Sequence, residues 1–302
     1  MLQVEVRGCG CSQRGRTVGV PMDPMNEEAE LVVDARAVVG EGPTWSPQTG
    51  ALFWVDIPQG NVHRFYPDTG RHTTLRLDSM VSAIVERGSG GYVIATPDGI
   101  AIIEDGREPV LVTPVESDQP RNRMNDGKVD RRGRFWVGTM SVDFEPRCGS
   151  LYRVDPDFSV HRMLGDVTTS NGISWTADDR HMYYIDTRAY SIDVFDFDLD
   201  TGSIMNRRTI VSFDQGGGRP DGMAIDVEDH LWVAMYGGGE VLRFTPDGGL
   251  AGRIPMPVSQ VTSCAFGGTE LRDLYITTAA QRLVQDPRDP EPLSGGLFRA
   301  TP

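Results

Sequence analysis

The run Leu52-Phe53-Trp54-Val55-Asp56 returns five more times along the chain with the same aromatic and apolar character. The other copies are Gly91-Tyr92-Val93-Ile94-Ala95, Arg134-Phe135-Trp136-Val137-Gly138, His181-Met182-Tyr183-Tyr184-Ile185, His230-Leu231-Trp232-Val233-Ala234 and Asp273-Leu274-Tyr275-Ile276-Thr277. Successive copies are roughly 40–50 residues apart, which is the period of a four-stranded propeller blade. Aromatic and β-branched residues favour strand over helix, and the nearly continuous apolar character predicts burial on both faces.

A second strand is predicted after each copy, beyond a short turn. Its six copies are residues 62–65, 100–103, 151–154, 192–195, 241–244 and 297–300. Six pairs of strands predict the fold class: all-β, a six-bladed β-propeller. Residues 31–37 precede the first copy, and we expect this extra strand to pair into the last blade and close the ring. We therefore assign residues 30–302 to one propeller domain and residues 1–29 to a flexible N-terminal tail.

The chain carries a formal net charge of −14 and has a sequence pI of about 4.8. Such a surface repels nucleic-acid phosphates and anionic lipids, so we expect no nucleic-acid or membrane partner. No apolar run approaches the roughly 18 residues of a membrane span, and the N-terminus lacks the apolar core of a secretory signal. The four cysteines have neither disulfide-framework nor zinc-site spacing, which favours reduced thiols and a cytoplasmic location. No protein partner is predicted.

Four polar residues occupy comparable positions near the predicted starts of innermost strands: Glu41, Asn125, Asn171 and Asp221. Each is followed by glycine, at once or one residue later. In a propeller the ends of the innermost strands point toward a common axis, so we expect these side chains to converge. Carboxylate and amide oxygens suit a hard cation such as Ca²⁺, Mg²⁺ or Mn²⁺, and Zn²⁺ or Fe²⁺ stays open. Any one of these motifs alone is better explained as a turn, and it is the four at the same place in the repeat that favour a metal site.

Other chemistries lack their motifs in this sequence. No Gly-x-Ser-x-Gly elbow, no phosphate-binding Gly-x-x-x-x-Gly-Lys loop and no dinucleotide fingerprint after a strand is present. The chain also has no Trp-Asp dipeptide, which argues against a WD40 propeller.

The sequence resembles the SMP-30/gluconolactonase/regucalcin family along essentially its whole length after residue 30. The stretches that carry the resemblance include Gly40-Glu41-Gly42-Pro43, Asn125-Asp126-Gly127-Lys128, Gly138-Thr139-Met140, Ser170-Asn171-Gly172-Ile173, Asp221-Gly222-Met223 and Thr262-Ser263-Cys264-Ala265-Phe266-Gly267. The resemblance implies a six-bladed propeller with one divalent metal ion, Ca²⁺ first among the candidates, and lactonase activity.

The resemblance also implies roles for single residues. Glu41, Asn171 and Asp221 match the family's metal ligands, and Asn125 matches an amide near the metal and the substrate. Arg123 matches a position that contacts sugar hydroxyls. Asp143 aligns with a substrate-contacting glutamate, and its shorter side chain leaves the sugar preference open.

The expected reaction is metal-dependent hydrolysis of a sugar lactone, such as gluconolactone or a pentonolactone, to the aldonic acid. Asp221 is the candidate general base, and water activated by the cation itself is the alternative. Two other functions stay open on this scaffold: hydrolysis of phosphotriesters or phosphofluoridates, and calcium binding without catalysis. The sequence alone leaves the physiological lactone, the cellular metal and the oligomeric state undetermined.

Overall fold

The computed structural model describes residues 28–104, 107–281 and 291–302, and these form six antiparallel sheets of four strands each. The first strand of each sheet contacts the first strand of the next, and the first strand of the sixth sheet contacts that of the first. The sheets therefore form a closed ring, and the predicted six-bladed β-propeller is confirmed.

The first three blades run from residue 40 to residue 167. Their strands are β2 (Gly40–Ser46), β3 (Ala51–Asp56), β4 (Asn61–Tyr66) and β5 (Arg71–Arg76); β6 (Ala83–Glu86), β7 (Tyr92–Thr96), β8 (Gly99–Ile103) and β9 (Val110–Pro114); β10 (Asn122–Val129), β11 (Phe135–Ser141), β12 (Gly149–Val154) and β13 (Val160–Val167).

The last three blades run from residue 170 to the end of the chain. Their strands are β14 (Ser170–Trp175), β15 (His181–Asp186), β16 (Ser191–Asp198) and β17 (Ser203–Ser212); β18 (Arg219–Ile225), β19 (Leu231–Tyr236), β20 (Glu240–Phe244) and β21 (Leu250–Pro255); β22 (Val261–Gly267), β23 (Asp273–Thr278), β24 (Leu297–Ala300) and β1 (Glu30–Val33).

The ring is closed by the N-terminal strand, as the sequence predicts. Strand β1 pairs antiparallel with β24 at the outer edge of the sixth blade, and Glu30 forms an ion pair with Arg299. The strand is shorter than the expected 31–37, because it ends at Val33 and Arg36 adopts a φ of 49°, outside the β region. The proposed flexible tail at residues 1–29 lies outside the described residues except for its last two, so it stays a prediction.

The second strand of each blade supplies the core, which explains the repeated motif. Every residue of β3 and of β11 is buried, and Trp54, Trp136 and Trp232 are at most 2% exposed. These side chains pack between neighbouring sheets, so both faces of each second strand lose contact with water. A nearly continuous apolar run is the pattern that such two-sided burial requires.

Glycines allow strands of neighbouring blades to approach one another closely: Gly138 lies on the second strand β11, and Gly222 lies on the innermost strand β18. A Cβ atom on Gly138 would lie 1.7 Å from Oγ of Ser170 in the next blade, and one on Gly222 would lie 2.0 Å from Oγ of Ser263. Real Cβ atoms do not approach other heavy atoms so closely, so only glycine fits at these positions.

Within the described residues, no helix is long and apolar enough to cross a membrane.

Candidate metal centre

The four polar residues singled out in the sequence all lie on innermost strands, near the same end of the ring. Glu41 lies on β2, Asn125 on β10, Asn171 on β14 and Asp221 on β18, each within the first four residues of its strand. Since the innermost strand of every blade runs in the same direction along the axis, the starts of these strands share one end of the channel. We call this end the metal mouth.

The expectation that these residues precede the innermost strands is wrong in one respect, because they lie inside the strands. The pairing register shifts next to each residue, between Glu41 and Thr44, between Met124 and Gly127, between Asn171 and Ile173, and between Pro220 and Met223. Such β-bulges insert an extra residue and turn side chains away from the regular pleat. Strand pairing therefore exists on both sides of each bulge, and the polar residues lie within the strands.

A chain of hydrogen bonds links the amides of the site across two blades. Nη1 of Arg123 donates to Oδ1 of Asn125 at 2.8 Å. Nδ2 of Asn125 in turn donates to Oδ1 of Asn171 and to the carbonyl oxygen of Ser170, each at 2.8 Å. Nδ2 of Asn171 donates to Oγ1 of Thr187 at 2.7 Å. These bonds fix which end of each amide carries the oxygen, and they hold Oδ1 of Asn171 in a defined orientation.

Three buried carboxylates share the metal mouth. Glu41, Asp126 and Asp221 are each no more than 8% exposed. Burial raises the pKa of Glu41 well above its ordinary value, and the charges of Asp221 and Asp126 raise it further. Burial and the charge of Asp126 likewise raise the pKa of Asp221. Three basic side chains act on this group: Arg123 on Glu41, Lys128 on Asp126 and Arg219 on Asp221. Burial is nevertheless the largest effect on each carboxyl group, and it disfavours the charged form.

The donor atoms fit a hard divalent cation. Oδ1 of Asp221 is buried and has no hydrogen-bond partner among the described residues, which is the arrangement expected of an atom that binds an ion. Glu41, Asn171 and Asp221 offer only oxygen atoms, the ligands that Ca²⁺ prefers. The neighbouring Cys264 is a poor ligand, because burial raises the pKa of its thiol to about 12.

Arg123 brings a positive charge to the edge of the carboxylates. Burial lowers the pKa of its guanidinium to about 10, and the charge of Glu41 opposes this effect. The two described hydrogen bonds of Arg123 both use Nη1, to Oδ1 of Asn125 and to the carbonyl oxygen of Met124. Nε and Nη2 have no hydrogen-bond acceptor among the described residues.

Asp143 lies at the rim of the metal mouth and not in the buried cluster. It follows β11 by two residues, its side chain is 42% exposed, and it forms an ion pair with Arg121. The ion pair with Arg121 uses Oδ2 of Asp143, and the expected contact of Asp143 with substrate stays a prediction.

The sequence reasoning missed two residues of the site. Asp126 directly precedes Gly127, as Glu41 precedes its own glycine, so the same pattern pointed to it as well as to its neighbour Asn125. Thr187 carried no signal of its own, because its role depends on the contact with Asn171 from a separate strand.

A cavity of about 530 Å³ lies at the opposite end of the channel. Its lining includes Trp45 on β2, Trp175 on β14 and Phe266 on β22, near the ends of these innermost strands. Its acidic side chains include Asp130, which is paired with Arg134, and Asp179, which is paired with Arg131. At the metal mouth, by contrast, Oδ1 of Asp221 has no hydrogen-bond partner among the described residues.

One further acidic group outside the axis has the spacing of a metal site. Asp226, Glu228 and His230 each offer a ligand atom within 4.8 Å of the others. Arg243 donates to both Asp226 and Glu228, at 2.6 and 2.9 Å, so this cluster already has a cation of its own. It is best explained as an ion-pair network that holds the fifth blade together.

Comparison with known proteins places this geometry in context. Residues 39–280 match the sequence profile of the SMP-30/Gluconolactonase/LRE-like region. Regucalcin of Oryctolagus cuniculus is 40% identical over 280 residues, which cover 90% of this chain and 93% of that protein.

Solved structures agree with the sequence match. The calcium-binding protein regucalcin from Agrobacterium tumefaciens superimposes with a TM-score of 0.86 at 30% identity, covering 91% of this chain and 93% of that chain. A luciferin-regenerating enzyme superimposes with a TM-score of 0.83 at 34% identity, covering 91% and 95% of the two chains.

Proposed function

The chain belongs to the SMP-30/Gluconolactonase/LRE-like family, and on this premise we propose that it hydrolyses a sugar lactone to the aldonic acid at the metal mouth. The observation that carries the proposal is the buried Oδ1 of Asp221, which has no hydrogen-bond partner among the described residues and belongs to a group of three buried carboxylates beside the guanidinium of Arg123. The carboxylate oxygen of Asp221 suits a cation, and the guanidinium of Arg123 suits a polyhydroxylated substrate.

Glu41, Asn171 and Asp221 would hold the cation, and Ca²⁺ is the first candidate for a site made of oxygen atoms. A bound divalent ion supplies Lewis-acid chemistry, because it draws electron density from a carbonyl oxygen and stabilises the negative charge that develops there. Asn125 and Thr187 support the site by orienting the amide of Asn171.

Arg123 and Asn125 have separate tasks in this proposal. Both amide hydrogens of Asn125 are engaged, by Ser170 and Asn171, and its oxygen accepts from Arg123. Asn125 is therefore a positioning residue in our proposal, and Arg123 is the direct donor to sugar hydroxyl groups. Such donors hold the lactone carbonyl in a fixed place relative to the attacking water.

Asp221 would act as the general base. As a water oxygen attacks the carbonyl carbon of the lactone, the carboxylate oxygen of Asp221 that does not hold the cation accepts a proton from that water. The bond between the carbonyl carbon and the ring oxygen then breaks, and the ring oxygen takes up a proton to become a hydroxyl group. One lactone and one water thus give one hydroxy acid.

Calcium binding without catalysis is the second candidate, because a relative with 30% identity is described as a calcium-binding protein. This alternative predicts metal binding at Glu41, Asn171 and Asp221 with no turnover. Phosphotriester hydrolysis on the same scaffold predicts turnover of a different substrate class.

The test is acid release from a panel of aldonolactones and one phosphotriester, measured above the spontaneous rate. The protein is first stripped of metal and then given Ca²⁺, Mg²⁺, Mn²⁺, Zn²⁺ or Fe²⁺ in turn. Hydrolysis of one or a few lactones that returns with metal supports the proposal. Metal binding without hydrolysis of any lactone would reject it in favour of the calcium-binding function.

A further inference from the structure

A short turn at the metal mouth connects the proposed metal site to a neighbouring arginine. It consists of the 3-10 helix Thr187–Ala189 and the following Tyr190, between β15 and β16. Oγ1 of Thr187 accepts from Asn171, and the hydroxyl of Tyr190 accepts from Nε of Arg219 at 3.2 Å. We call residues 187–190 the arginine turn.

The arginine turn is held in place by hydrogen bonds to Asp186, and it ends in a left-handed residue. The carboxylate of Asp186 accepts from the backbone N–H groups of Thr168, Thr169 and Arg188. Tyr190 has a φ of 54° and ends the 3-10 helix in the left-handed conformation, with its N–H bonded to the carbonyl oxygen of Thr187.

Two arginines of neighbouring blades thus face the same mouth. Arg219 is the first residue of β18, two positions before Asp221, and its charge lowers the pKa of that carboxyl group against the effect of burial. Arg188 is exposed on the arginine turn, and its guanidinium lies 5.2 Å from the ring centre of Phe144 on the loop after β11. Both guanidinium groups therefore belong to the rim of the metal mouth.

Neither arginine has a carboxylate partner within 4.0 Å in the described ranges, although Arg121 on the same rim is paired with Asp143. The donor groups of these two arginines are therefore not engaged by a carboxylate of the described residues. Guanidinium groups present a planar fork of donors that matches the oxygens of a carboxylate or a phosphate.

We propose that Arg219 and Arg188 bind an anionic substituent of the substrate, so that the preferred lactones carry a second acidic group away from the lactone carbonyl. Tyr190 is a positioning residue that orients Arg219. This inference rests on the proposed lactone hydrolysis for its substrate class, but the anion-binding site itself does not depend on catalysis.

Two matched substrate pairs test the proposal with the wild-type protein. D-glucaro-1,4-lactone differs from D-glucono-1,4-lactone only in a carboxylate at C6, and 6-phosphoglucono-1,5-lactone differs from glucono-1,5-lactone only in a phosphate. We expect a KM at least about 10-fold lower for one anionic member than for its neutral partner, since a charge-assisted hydrogen bond contributes about 1.5–3 kcal/mol. The pair that shows the difference identifies the anion as carboxylate or phosphate.

Variants locate the effect. Arg188→Gln is expected to raise the KM for the anionic lactone by about 10-fold or more, with little change for the neutral one. Arg219→Met is expected to raise the KM for the anionic lactone about 10-fold more than that for the neutral one, because the effect of its charge on Asp221 is common to both substrates. Tyr190→Phe should raise the KM for the anionic lactone by a smaller factor. The matched control Arg180→Gln, on the hairpin at the opposite end of the ring, should leave this KM unchanged. Equal KM values within both pairs, or no effect of Arg219→Met, would overturn the proposal even if lactones are hydrolysed.

A binding measurement separates this proposal from the proposed function. Calorimetric titration of the metal-free protein with glucarate and with gluconate compares an acid that has two carboxylates with one that has a single carboxylate. We expect tighter binding of glucarate that Arg219→Met abolishes, whether or not any lactone is turned over. Equal binding of the two acids to the wild-type protein would overturn the proposed anion site. The lactonase proposal would still be decided by the acid-release assay.

Discussion

Asn125 and Asn171 lie on neighbouring blades, and the side-chain amide of Asn125 donates a 2.8 Å hydrogen bond to Oδ1 of Asn171. Oδ1 of Asn171, the proposed ligand atom, is thus oriented by Asn125, which is not itself a proposed metal ligand. Partners of this kind orient metal ligands, and their loss typically lowers metal affinity about 10–100-fold.

Thr187→Val is the mildest test of this support. The change removes the acceptor for Nδ2 of Asn171 but keeps the shape of the side chain. We expect Ca²⁺ affinity to fall by about 10-fold, measured by calorimetric titration. Thr176→Val is the matched control, because its hydroxyl caps a hairpin at the opposite end of the ring, and it leaves affinity unchanged. Equal affinity of the Thr187 variant and the wild type would remove this residue from the site.

Asp221→Asn separates stability from metal binding. Burial and Asp126 raise the pKa of Asp221, so its charged form costs folding free energy near neutral pH. We expect the metal-free variant to melt at a higher temperature than the metal-free wild type at pH 8, and the gain to vanish at acidic pH where the wild-type carboxyl group is protonated. Added Ca²⁺ raises the melting temperature of the wild type only.

The exposed Asp247→Asn serves as the control for that experiment. Its carboxylate accepts hydrogen bonds on the surface, which lower its pKa, so its removal gives no stabilisation. A metal-free Asp221→Asn protein that melts below the metal-free wild type at pH 8 would contradict the inference that the charged carboxylate of Asp221 destabilises the metal-free fold.

Gly222→Ala tests the close approach of the innermost strands. The new Cβ would lie 2.0 Å from Oγ and 2.5 Å from Cβ of Ser263, so one strand must shift. Overpacking of this kind costs about 1–3 kcal/mol of unfolding free energy, measured by urea denaturation. Adding Ser263→Gly should recover part of the loss. Gly216→Ala, where a Cβ meets nothing within 4 Å, should be nearly neutral.

His63 predicts a pH dependence of stability. Burial first and then His72 lower its pKa to about 4 from an ordinary value of 6.5. The unfolded chain therefore binds the proton more readily, so the contribution of His63 is complete above about pH 6.5 and is lost as the pH falls toward 4. One such proton changes the unfolding free energy by at most about 1.4 kcal/mol per pH unit.

The measurement is urea unfolding between pH 8 and pH 4.5. His63→Phe, which keeps a flat ring against Trp54, should show a shallower loss of stability in this window than the wild type. Replacing the exposed His161 by Gln should leave the wild-type slope. Identical slopes for wild type and His63→Phe would show that His63 is not held neutral in the fold.

The architecture could be predicted from the sequence because a propeller repeats one burial pattern six times. Trp54, Trp136 and Trp232 occupy corresponding second strands, and each is buried for the same reason, two-sided packing between sheets. A local pattern that recurs at a fixed period gives the number of blades without any knowledge of long-range contacts.

The site was less predictable, because it depends on contacts between blades. Glu41, Asn171 and Asp221 were found from their common place in the repeat, but the β-bulges that hold them inside the strands leave no distinct sequence signal. Thr187 and Arg219 become visible only when β14, the arginine turn and β18 are placed side by side.

The most direct measurement is the initial rate of acid release from glucono-1,5-lactone as a function of Ca²⁺ concentration, for the metal-stripped wild type and for Glu41→Gln. Our account predicts a rate that rises from the spontaneous level and saturates in the wild type, and a curve shifted to higher Ca²⁺ in the variant. A wild-type rate above the spontaneous level that does not depend on added metal, or identical curves for the two proteins, would contradict hydrolysis at the metal mouth.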